Sequence, residues 1–257
     1  MSKIYISYPK INIFFKIIGF LPNGYCDILS RYIKVQNSFF DTLEIRDSKS
    51  FSLEGNFQCP LQSNTIFKAK LALQEYLDSQ SRHKESKYLE SFSVSVDKKI
   101  PIFAGLGGGS SNAGVYLLAI NEILELGLDK YTLATIGSKV GADVSFFVYD
   151  YMSSNVAGFG DIIEEFVEEK LEFEILTPPI NSHTNAVFAE FKRDFKLESA
   201  LAKEMTALKS LDLLKQFSIK ILNDLYLPAT RLYKELLDYS QDGYFFSGSG
   251  SSFFRLK

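Results

Sequence analysis

The stretch GLGGGSSNAG, residues 105–114, places a triple glycine and two serines directly before a long apolar run. Glycine in an ordered segment costs conformational entropy relative to alanine, so such a cluster needs a physical reason. Close approach of backbone N–H groups to an anion is one such reason, because the start of a helix carries partial positive charge. The stretch therefore predicts either a strand-to-helix turn or an anion-binding loop in front of a helix.

Three interpretations of this stretch differ in the spacing that they require. A plain turn needs only the glycine dihedral angles. A dinucleotide fingerprint fails, because G-x-G-x-x-G counted from Gly105 ends on Ser110 and no acidic ribose partner follows a strand about 20 residues later. A phosphate cradle for a nucleoside triphosphate fits better, although no Gly-Lys-Ser/Thr follows and it is not a Walker loop. Successive N–H groups form an anion nest, and Ser110 and Ser111 offer hydroxyls to a phosphate or its Mg²⁺.

The composition of the chain excludes several classes of protein. The 257 residues carry a net charge of -3 and 46% hydrophobic residues, which is ordinary for a globular protein and gives no basic field for nucleic acid. Two cysteines and two histidines are too few for a disulfide framework or a metal site: Cys26, Cys59, His83 and His183. The chain has no run of about 18 apolar residues, so no membrane-spanning helix is expected. Lysines interrupt the apolar N-terminus, which therefore does not resemble a signal peptide. We therefore expect a cytoplasmic protein without a membrane partner.

Hydrophobic periodicity predicts strands followed by helices in each half of the chain. Four strands and a turn at LPNGYC are expected in the first 60 residues, and Asn64 is a plausible N-cap of a helix over 64–78. A strand at 91–96 and helices at 110–126 and 131–141 complete the first half. The second half begins with an acidic connecting segment at 158–170, and then a strand, helices near 184–192, 197–215 and 229–240, and two short strands are expected. This order predicts an α+β fold with two lobes, 1–157 and 158–257.

Three segments in this order carry a family resemblance: YPKINIFFKIIG (8–19), PIFAGLGGGSSNAG (101–114) and FFSGSGSSFF (245–254). They resemble the N-terminal strand motif, the phosphate-binding motif and the C-terminal glycine motif of the GHMP kinases. The resemblance spans nearly the whole chain. It implies a two-lobed fold, with a ribosomal-protein-S5-like N-terminal lobe that binds ATP and a ferredoxin-like C-terminal lobe that binds substrate.

The resemblance is strongest to the branch of the family that acts on 4-diphosphocytidyl-2-C-methyl-D-erythritol in the non-mevalonate isoprenoid pathway. That branch carries Lys and Asn in the first strand, a triple glycine before two serines, and GAD before an apolar strand, here GADVSFF (141–147). It implies transfer of the γ-phosphoryl group of ATP, with Mg²⁺, to the 2-hydroxyl of that substrate. For the protein itself we expect a monomer or a homodimer. Two residues depart from its pattern, because Cys26 replaces a histidine and Ser145 replaces a proline.

The resemblance also implies roles for individual residues. Asp143 would accept the proton of the attacking hydroxyl, and Lys10 would hold Asp143 ionised by opposite charge. ATP would bind at Gly105, Leu106, Gly107, Gly108, Gly109, Ser110, Ser111 and Asn64. The substrate would contact Asn12, Tyr25, Cys26, His183, Thr184, Ser247 and Gly248, with Tyr25 stacked on cytosine.

Each role has a plainer structural alternative. Asp143 would be a cap or turn aspartate, Lys10 a solvated edge-strand lysine, Tyr25 a buried hairpin tyrosine, and Asn64 a helix cap without a ligand. The function also has alternatives at this stage. A GHMP kinase for mevalonate-like or amino-acid alcohols, a catalytically silent GHMP-fold binding protein, and a structural α+β protein that binds no nucleotide remain open.

Overall fold

The computed structural model describes residues 2–257, and these divide by packing into two compact units. The first unit takes the chain up to Tyr8 together with Phe39–Ile100 and Gly108–Asp150. The second takes Pro9–Ser38, Pro101–Gly107 and Tyr151–Lys257. The packing therefore does not follow the single boundary between residues 157 and 158 that the sequence predicts. The assignment of ATP to the range 1–157 and of substrate to the range 158–257 stays a prediction.

The first unit is a four-stranded sheet covered by helices. The sheet has the order β1-β4-β6-β5, in which only the β5–β6 pair is parallel. Its strands are β1 (Ser2–Ser7), β4 (Asp41–Asp47), β5 (Ser52–Gly55) and β6 (Phe92–Asp97). Its helices are α1 (Thr65–Ser79), α2 (His83–Tyr88), α3 (Gly108–Ile123), α4 (Lys130–Ser138) and α5 (Val144–Tyr149). Leu43, Leu73, Leu117 and Val144 belong to the buried core that the sheet and the helices share.

The second unit contains two antiparallel sheets. One has the order β2-β3-β7-β8, from strands β2 (Lys10–Phe20), β3 (Cys26–Lys34), β7 (Ser153–Gly158) and β8 (Ile162–Glu165). The other has the order β10-β11-β9, from β9 (Phe173–Leu176), β10 (Phe245–Phe246) and β11 (Phe253–Leu256). The helices are α6 (Thr184–Phe191), α7 (Ser199–Ala207), α8 (Ser210–Gln216), α9 (Ile219–Leu222) and α10 (Tyr226–Leu232). Mixed helices and sheets confirm the α+β class.

Several predicted elements differ from those observed. The apolar run after Asp143 is the helix α5 and not a strand. Five consecutive buried residues are equally compatible with a helix or a strand at this length, so the sequence pattern could not distinguish them. The acidic segment 158–170 contains β8, which pairs with β7. The helix expected over 197–215 is two helices, α7 and α8, because Leu208 is extended between them.

Buried polar groups explain the break between α7 and α8. The fully buried Arg31 guanidinium donates to the carbonyl oxygens of Thr206 at 2.8 Å and of Leu208 at 3.3 Å. Glu168 accepts from the backbone N–H of Ser210 at 2.8 Å, at the start of α8. Side chains thus satisfy the backbone groups that a continuous helix would have paired.

Candidate active site

Lys10 is a buried lysine at the first position of β2, with 3% of its surface exposed. Its Nζ donates to Asn12 Oδ1 at 2.6 Å and lies 4.7 Å from the centre of the Tyr32 ring. Its backbone N–H donates to the carbonyl of Leu106, inside the glycine segment, at 3.0 Å. The alternative of a solvated edge lysine is wrong, because a buried ammonium needs the polar partners that surround it here.

Ser247 connects two of the predicted motifs to the third. Its hydroxyl accepts from the backbone N–H of Asn12 at 3.3 Å and donates to the carbonyl of Gly105 at 3.2 Å. The Asn12 amide in turn donates to Ser30 Oγ at 3.1 Å. The first strand motif, the start of the glycine segment and the C-terminal glycine motif therefore meet within hydrogen-bonding distance in the second unit.

At two glycines in this cluster, neighbouring atoms approach too closely for a side chain. Gly105 has φ +73, and a Cβ there would lie 2.4 Å from the carbonyl oxygen of Ser247. Gly248 has φ +57, and a Cβ there would lie 3.0 Å from Asn12 Oδ1 and 3.5 Å from Lys10 Nζ. Glycine is required at both positions by the left-handed backbone and by the close approach of the neighbouring groups.

The remaining part of the glycine segment begins α3 in the first unit. A Cβ at Gly108 would lie 2.8 Å from Ile100 Cγ2, and Gly109 accepts a hydrogen bond from Thr65 Oγ1 at 2.7 Å. These glycines therefore allow close packing at the start of the helix. The first N–H groups of a helix have no partner within it, so the chemistry of this end suits an anion.

The two serines of the motif differ in their accessibility. Ser111 is fully buried, and its hydroxyl donates to the carbonyl of Tyr8 at 2.7 Å and accepts from Ser7 Oγ at 2.6 Å. Ser110 is half-buried. Of the two, Ser110 is therefore the hydroxyl that suits a phosphate or its Mg²⁺. Among residues 2–257 no cluster of three His, Cys, Asp or Glu side chains provides a metal site made by protein groups alone.

Asp143 is half-buried and occupies the N-cap position of α5, but its side chain makes no capping hydrogen bond. Its side chain therefore does not act as a cap, whereas the alternative of a turn aspartate fits its position in the turn before α5. By contrast, Asn64 is buried and its Oδ1 accepts from the backbone N–H of Ile66 at 2.8 Å, as the sequence predicted for a helix cap. That cap is sufficient to explain Asn64 without a nucleotide.

The residues predicted to contact cytosine lie at the turn end of the β2–β3 hairpin, between Phe20 and Cys26. Tyr25 is 58% exposed, and its ring centre is 5.3 Å from that of Phe159, so the alternative of a buried hairpin tyrosine is wrong. Cys26 is buried, and burial raises the pKa of its thiol while the Lys192 ammonium offsets part of that effect. The cysteine therefore presents a neutral thiol where the family pattern has an imidazole.

His183 and Thr184 lie at the start of α6. The ring of His183 is exposed and lies 5.6 Å from that of Phe103, while its backbone N–H donates to Tyr233 Oη at 3.1 Å. The Thr184 hydroxyl pairs with Ser249 Oγ at 2.9 Å. Thr184 thereby contacts the C-terminal glycine motif, which links this helix to the segment that also holds Ser247.

Sequence reasoning did not identify several polar and aromatic residues that neighbour the predicted motifs. Tyr32 lies beneath the Lys10 ammonium, and Asp41, Lys98 and Asn112 form a buried polar network in the first unit. Tyr32 could have been found from strand register, because it pairs directly with Asn12 across the β2–β3 hairpin. Asn112 lies inside the quoted glycine stretch. An amide side chain among the small residues at the start of this helix could have indicated a buried hydrogen-bonding role.

Comparison with known proteins identifies relatives along the whole chain. The family described as GHMP kinases N terminal domain matches residues 64–151. A curated 4-diphosphocytidyl-2-C-methyl-D-erythritol kinase of Sulfurimonas denitrificans is 44% identical, covering 99% of this chain and 97% of its own. A kinase of the same name from Helicobacter acinonychis is 42% identical, covering 100% of this chain and 97% of its own.

Solved structures show the same fold at lower identity. The crystal structure of a 4-(cytidine 5'-diphospho)-2C-methyl-D-erythritol kinase superposes with a TM-score of 0.73 at 23% identity, covering 99% of this chain and 90% of that one. The mevalonate kinase of Methanococcus jannaschii gives a TM-score of 0.63 at 15% identity, covering 100% of this chain and 90% of that one. The two-lobed GHMP kinase fold expected from the sequence is confirmed.

Proposed function

The chain belongs to the 4-diphosphocytidyl-2-C-methyl-D-erythritol kinases of the GHMP family, and from that premise we propose how its residues carry the reaction. It is an ATP-dependent small-molecule kinase. The γ-phosphoryl group of ATP passes to the 2-hydroxyl of 4-diphosphocytidyl-2-C-methyl-D-erythritol, the bond to the β-phosphate oxygen breaks, and ADP leaves. The hydroxyl loses its proton in the same step, so the site must position two ligands in line and accept one proton.

One observation carries the assignment of the site: Lys10, Asn12, Ser247 and Gly105 form a single buried hydrogen-bonded cluster. These residues come from three distant parts of the chain. A buried ammonium is costly in a region that serves only packing, and here it lies so close to Gly248 that an added Cβ would be 3.5 Å from Nζ. The cluster supports a role in holding an anionic or hydroxyl-bearing ligand.

Asp143 is proposed as the group that accepts the proton of the attacking hydroxyl. Its carboxylate is half-buried at the start of α5 and makes no capping hydrogen bond there, and the resemblance of GADVSFF to the family motif supports this role. Lys10 is proposed to favour the ionised carboxylate through its positive charge and to orient the hydroxyl. The sequence-based expectation that the two act together remains a prediction, and a double variant tests it.

The glycine segment 105–111 is proposed to bind the phosphates of ATP. Backbone N–H groups at the start of α3 suit the anion, and Ser110 offers the accessible hydroxyl. Mg²⁺ bound with ATP would neutralise charge on the phosphates, and Ser110 is the side chain that suits it best. Asn64 stays a proposed neighbour of the nucleotide, although its oxygen already caps α1.

The substrate is proposed to lie against Tyr25, Cys26, Asn12, His183 and Thr184, with Ser247 and Gly248 near its methylerythritol end. The exposed Tyr25 ring is available for stacking on cytosine, and the neutral Cys26 thiol can give or accept one weak hydrogen bond. No helix among residues 2–257 is long and apolar enough to cross a membrane. We further infer a cytoplasmic monomer or homodimer with no nucleic-acid partner.

An ATP-consumption assay tests the proposal. The purified protein is supplied with Mg·ATP and, separately, with 4-diphosphocytidyl-2-C-methyl-D-erythritol, mevalonate or homoserine. We expect turnover with the cytidyl substrate alone. Turnover with mevalonate or homoserine would favour the alternative kinase, and ATP binding without turnover of any alcohol would favour the silent binding protein.

A further inference from the structure

The carboxylate of Asp41, at the start of β4, is fully buried and accepts four hydrogen bonds. Its Oδ1 accepts from the backbone N–H groups of Lys99 at 2.7 Å and Ile100 at 2.8 Å. Its Oδ2 accepts from Asn112 Nδ2 at 2.9 Å and from Lys98 Nζ. One carboxylate therefore binds the residues on both sides of the segment 101–107, since Lys99 and Ile100 precede it and Asn112 follows it.

The partners of Asp41 also bind each other. Lys98 Nζ donates to Asn112 Oδ1 at 2.8 Å, which closes a triangle with the buried Asp41 and Asn112, and the Lys98 side chain is itself only 7% exposed. We call Asp41, Lys98 and Asn112 the loop anchor. A buried polar network destabilises the fold when some of its groups lack hydrogen-bond partners, and it is rigid when every group has one. Each oxygen of the Asp41 carboxylate accepts two hydrogen bonds, so we expect the loop anchor to be rigid.

A second row of hydrogen bonds extends the loop anchor to the end of β1. Asn112 Nδ2 also donates to Ser7 Oγ at 2.9 Å, Ser7 Oγ donates to Ser111 Oγ at 2.6 Å, and Ser111 Oγ donates to the Tyr8 carbonyl at 2.7 Å. The hydroxyl hydrogens are fixed in one direction along this row. Consecutive residues at the start of α3 are thereby held to the sheet.

We propose that the loop anchor positions the phosphate-binding segment by fixing the two chain ends between which residues 101–107 run. Glycine-rich backbone is entropically loose, and fixing it before a ligand arrives lowers the cost of binding. Asp41 and Asn112 are therefore positioning residues for ATP that touch no ligand themselves. The inference rests on the proposed binding of ATP by this segment. The alternative is that the network only stabilises the first unit.

The test compares two asparagines of α3 with the same substitution. Asn112→Ala removes a side chain of the loop anchor. Asn121→Ala removes an amide that bonds both backbone groups of Leu128 at 3.0 Å, further along the same helix. We expect Asn112→Ala to raise the Kd of Mg·ATP about five- to tenfold, as one or two lost hydrogen bonds would. Asn121→Ala is expected to leave that Kd unchanged, although both variants lower the Tm.

Hydrogen exchange without nucleotide separates this inference from the proposed function. The amides of residues 101–110 are expected to exchange faster in Asn112→Ala than in Asn121→Ala or the wild type. If wild-type protein binds no ATP, the proposed function fails, while the exchange comparison still reports whether the anchor orders the segment. Equal exchange in the two variants, or faster exchange with unchanged ATP affinity, would overturn the inference.

A smaller substitution covers the case in which Asn112→Ala does not fold. Ser7→Ala removes the central hydroxyl of the second row and is expected to weaken Mg·ATP by about twofold to fivefold. Its matched control is Ser86→Ala. Ser86 is also a buried serine of the first unit, and its hydroxyl donates to the backbone carbonyl of Gln74, away from the loop anchor. Equal ATP affinity in these two variants would also overturn the inference.

Discussion

At the scale of single residues, Gly248 is a position where one added carbon would displace residues of the proposed active site. Alanine there would place its Cβ 3.0 Å from Asn12 Oδ1 and 3.5 Å from Lys10 Nζ. We expect Gly248→Ala to lower kcat by about 10²-fold, because displacement of a catalytic group by about 1 Å costs that much. Gly243→Ala is the control, since Gly243 also has a positive φ but no atom within 4 Å of the added carbon. Equal kcat in the two variants would contradict the proposal that Asn12 and Lys10 must be held in position at Gly248.

Asp143 and Lys10 are tested by removing charge and retaining size. Asp143→Asn should lower kcat by about 10²–10⁴, the usual contribution of a general base, with little change in ATP affinity. Lys10→Met should do similar harm, and the double variant should be little worse than either single variant, because residues that act as a unit are not additive. A structural role predicts instead a lower Tm with most of kcat retained. If Asp143→Asn keeps more than about a tenth of kcat, the assignment as base is wrong.

The two cysteines predict a pH-dependent difference in reactivity. The thiolate is the reactive form, and burial raises the pKa of Cys26, so at any pH below its pKa it holds less thiolate than an ordinary cysteine. Cys59 is exposed. Iodoacetamide near pH 8 should therefore modify Cys59 first, and modification of Cys26 should begin only at higher pH. Peptide mass spectrometry over a pH series measures both rates, and equal rates near pH 8 would show that Cys26 is more accessible than its burial indicates.

At the scale of secondary structure, prediction succeeded where local chemistry was sufficient. The strands β1 to β4 and the cap of α1 at Asn64 follow from alternation and from a side chain that bonds its own helix. The run after Asp143 was misassigned, because its burial on all sides depends on packing that periodicity does not contain. The split between α7 and α8 depends on Arg31, which lies far away in the chain.

The same comparison holds for the site. Lys10, Asn12 and the three glycine motifs could be identified from local patterns. The loop anchor could not, because Asp41, Lys98 and Asn112 are adjacent only in the folded sheet and helices. Tyr25 and Cys26 could be located at the hairpin turn, but the exposure of Tyr25 and the burial of Cys26 follow from packing around that turn.

The crossing of α3 with α5 gives a prediction in which two effects oppose each other. Alanine is favoured over glycine inside a helix by about 1 kcal/mol. A Cβ at Gly114 would, however, lie 2.7 Å from Phe147 Cβ, and overpacking costs about 1–3 kcal/mol. We expect overpacking to win, so Gly114→Ala should lower the free energy of unfolding. Gly141→Ala is the control, because its Cβ would make only ordinary contacts at 3.7 and 3.8 Å. Denaturant unfolding measures both, and an unchanged or higher stability for Gly114→Ala would show that α5 shifts freely.

At the scale of the whole molecule, the second unit is assembled from three stretches of chain. Its larger sheet has the order β2-β3-β7-β8, so the predicted C-terminal lobe 158–257 would keep β8 without the strand beside it. The ends of one sheet thus come from opposite halves of the sequence. A linear boundary drawn from composition cannot represent this, because composition reports where the chain changes character and not which strands pair.

The last prediction concerns that fragment. In residues 158–257, Glu168 would lose Arg31, whose Nη1 lies 3.7 Å from it, and Asp224 would lose its partner Lys16. Breaking a buried ion pair costs about 3–5 kcal/mol, and two such losses approach the roughly 5–15 kcal/mol that stabilises a whole domain. We therefore expect the isolated fragment to show no cooperative thermal transition and little dispersion of its amide NMR signals. Adding a separately produced fragment 1–157 should restore folding, because it supplies β2, β3, Lys16 and Arg31. A cooperative transition in the fragment alone would mean that 158–257 is an autonomous domain and that the strands from the first half of the chain are dispensable to it.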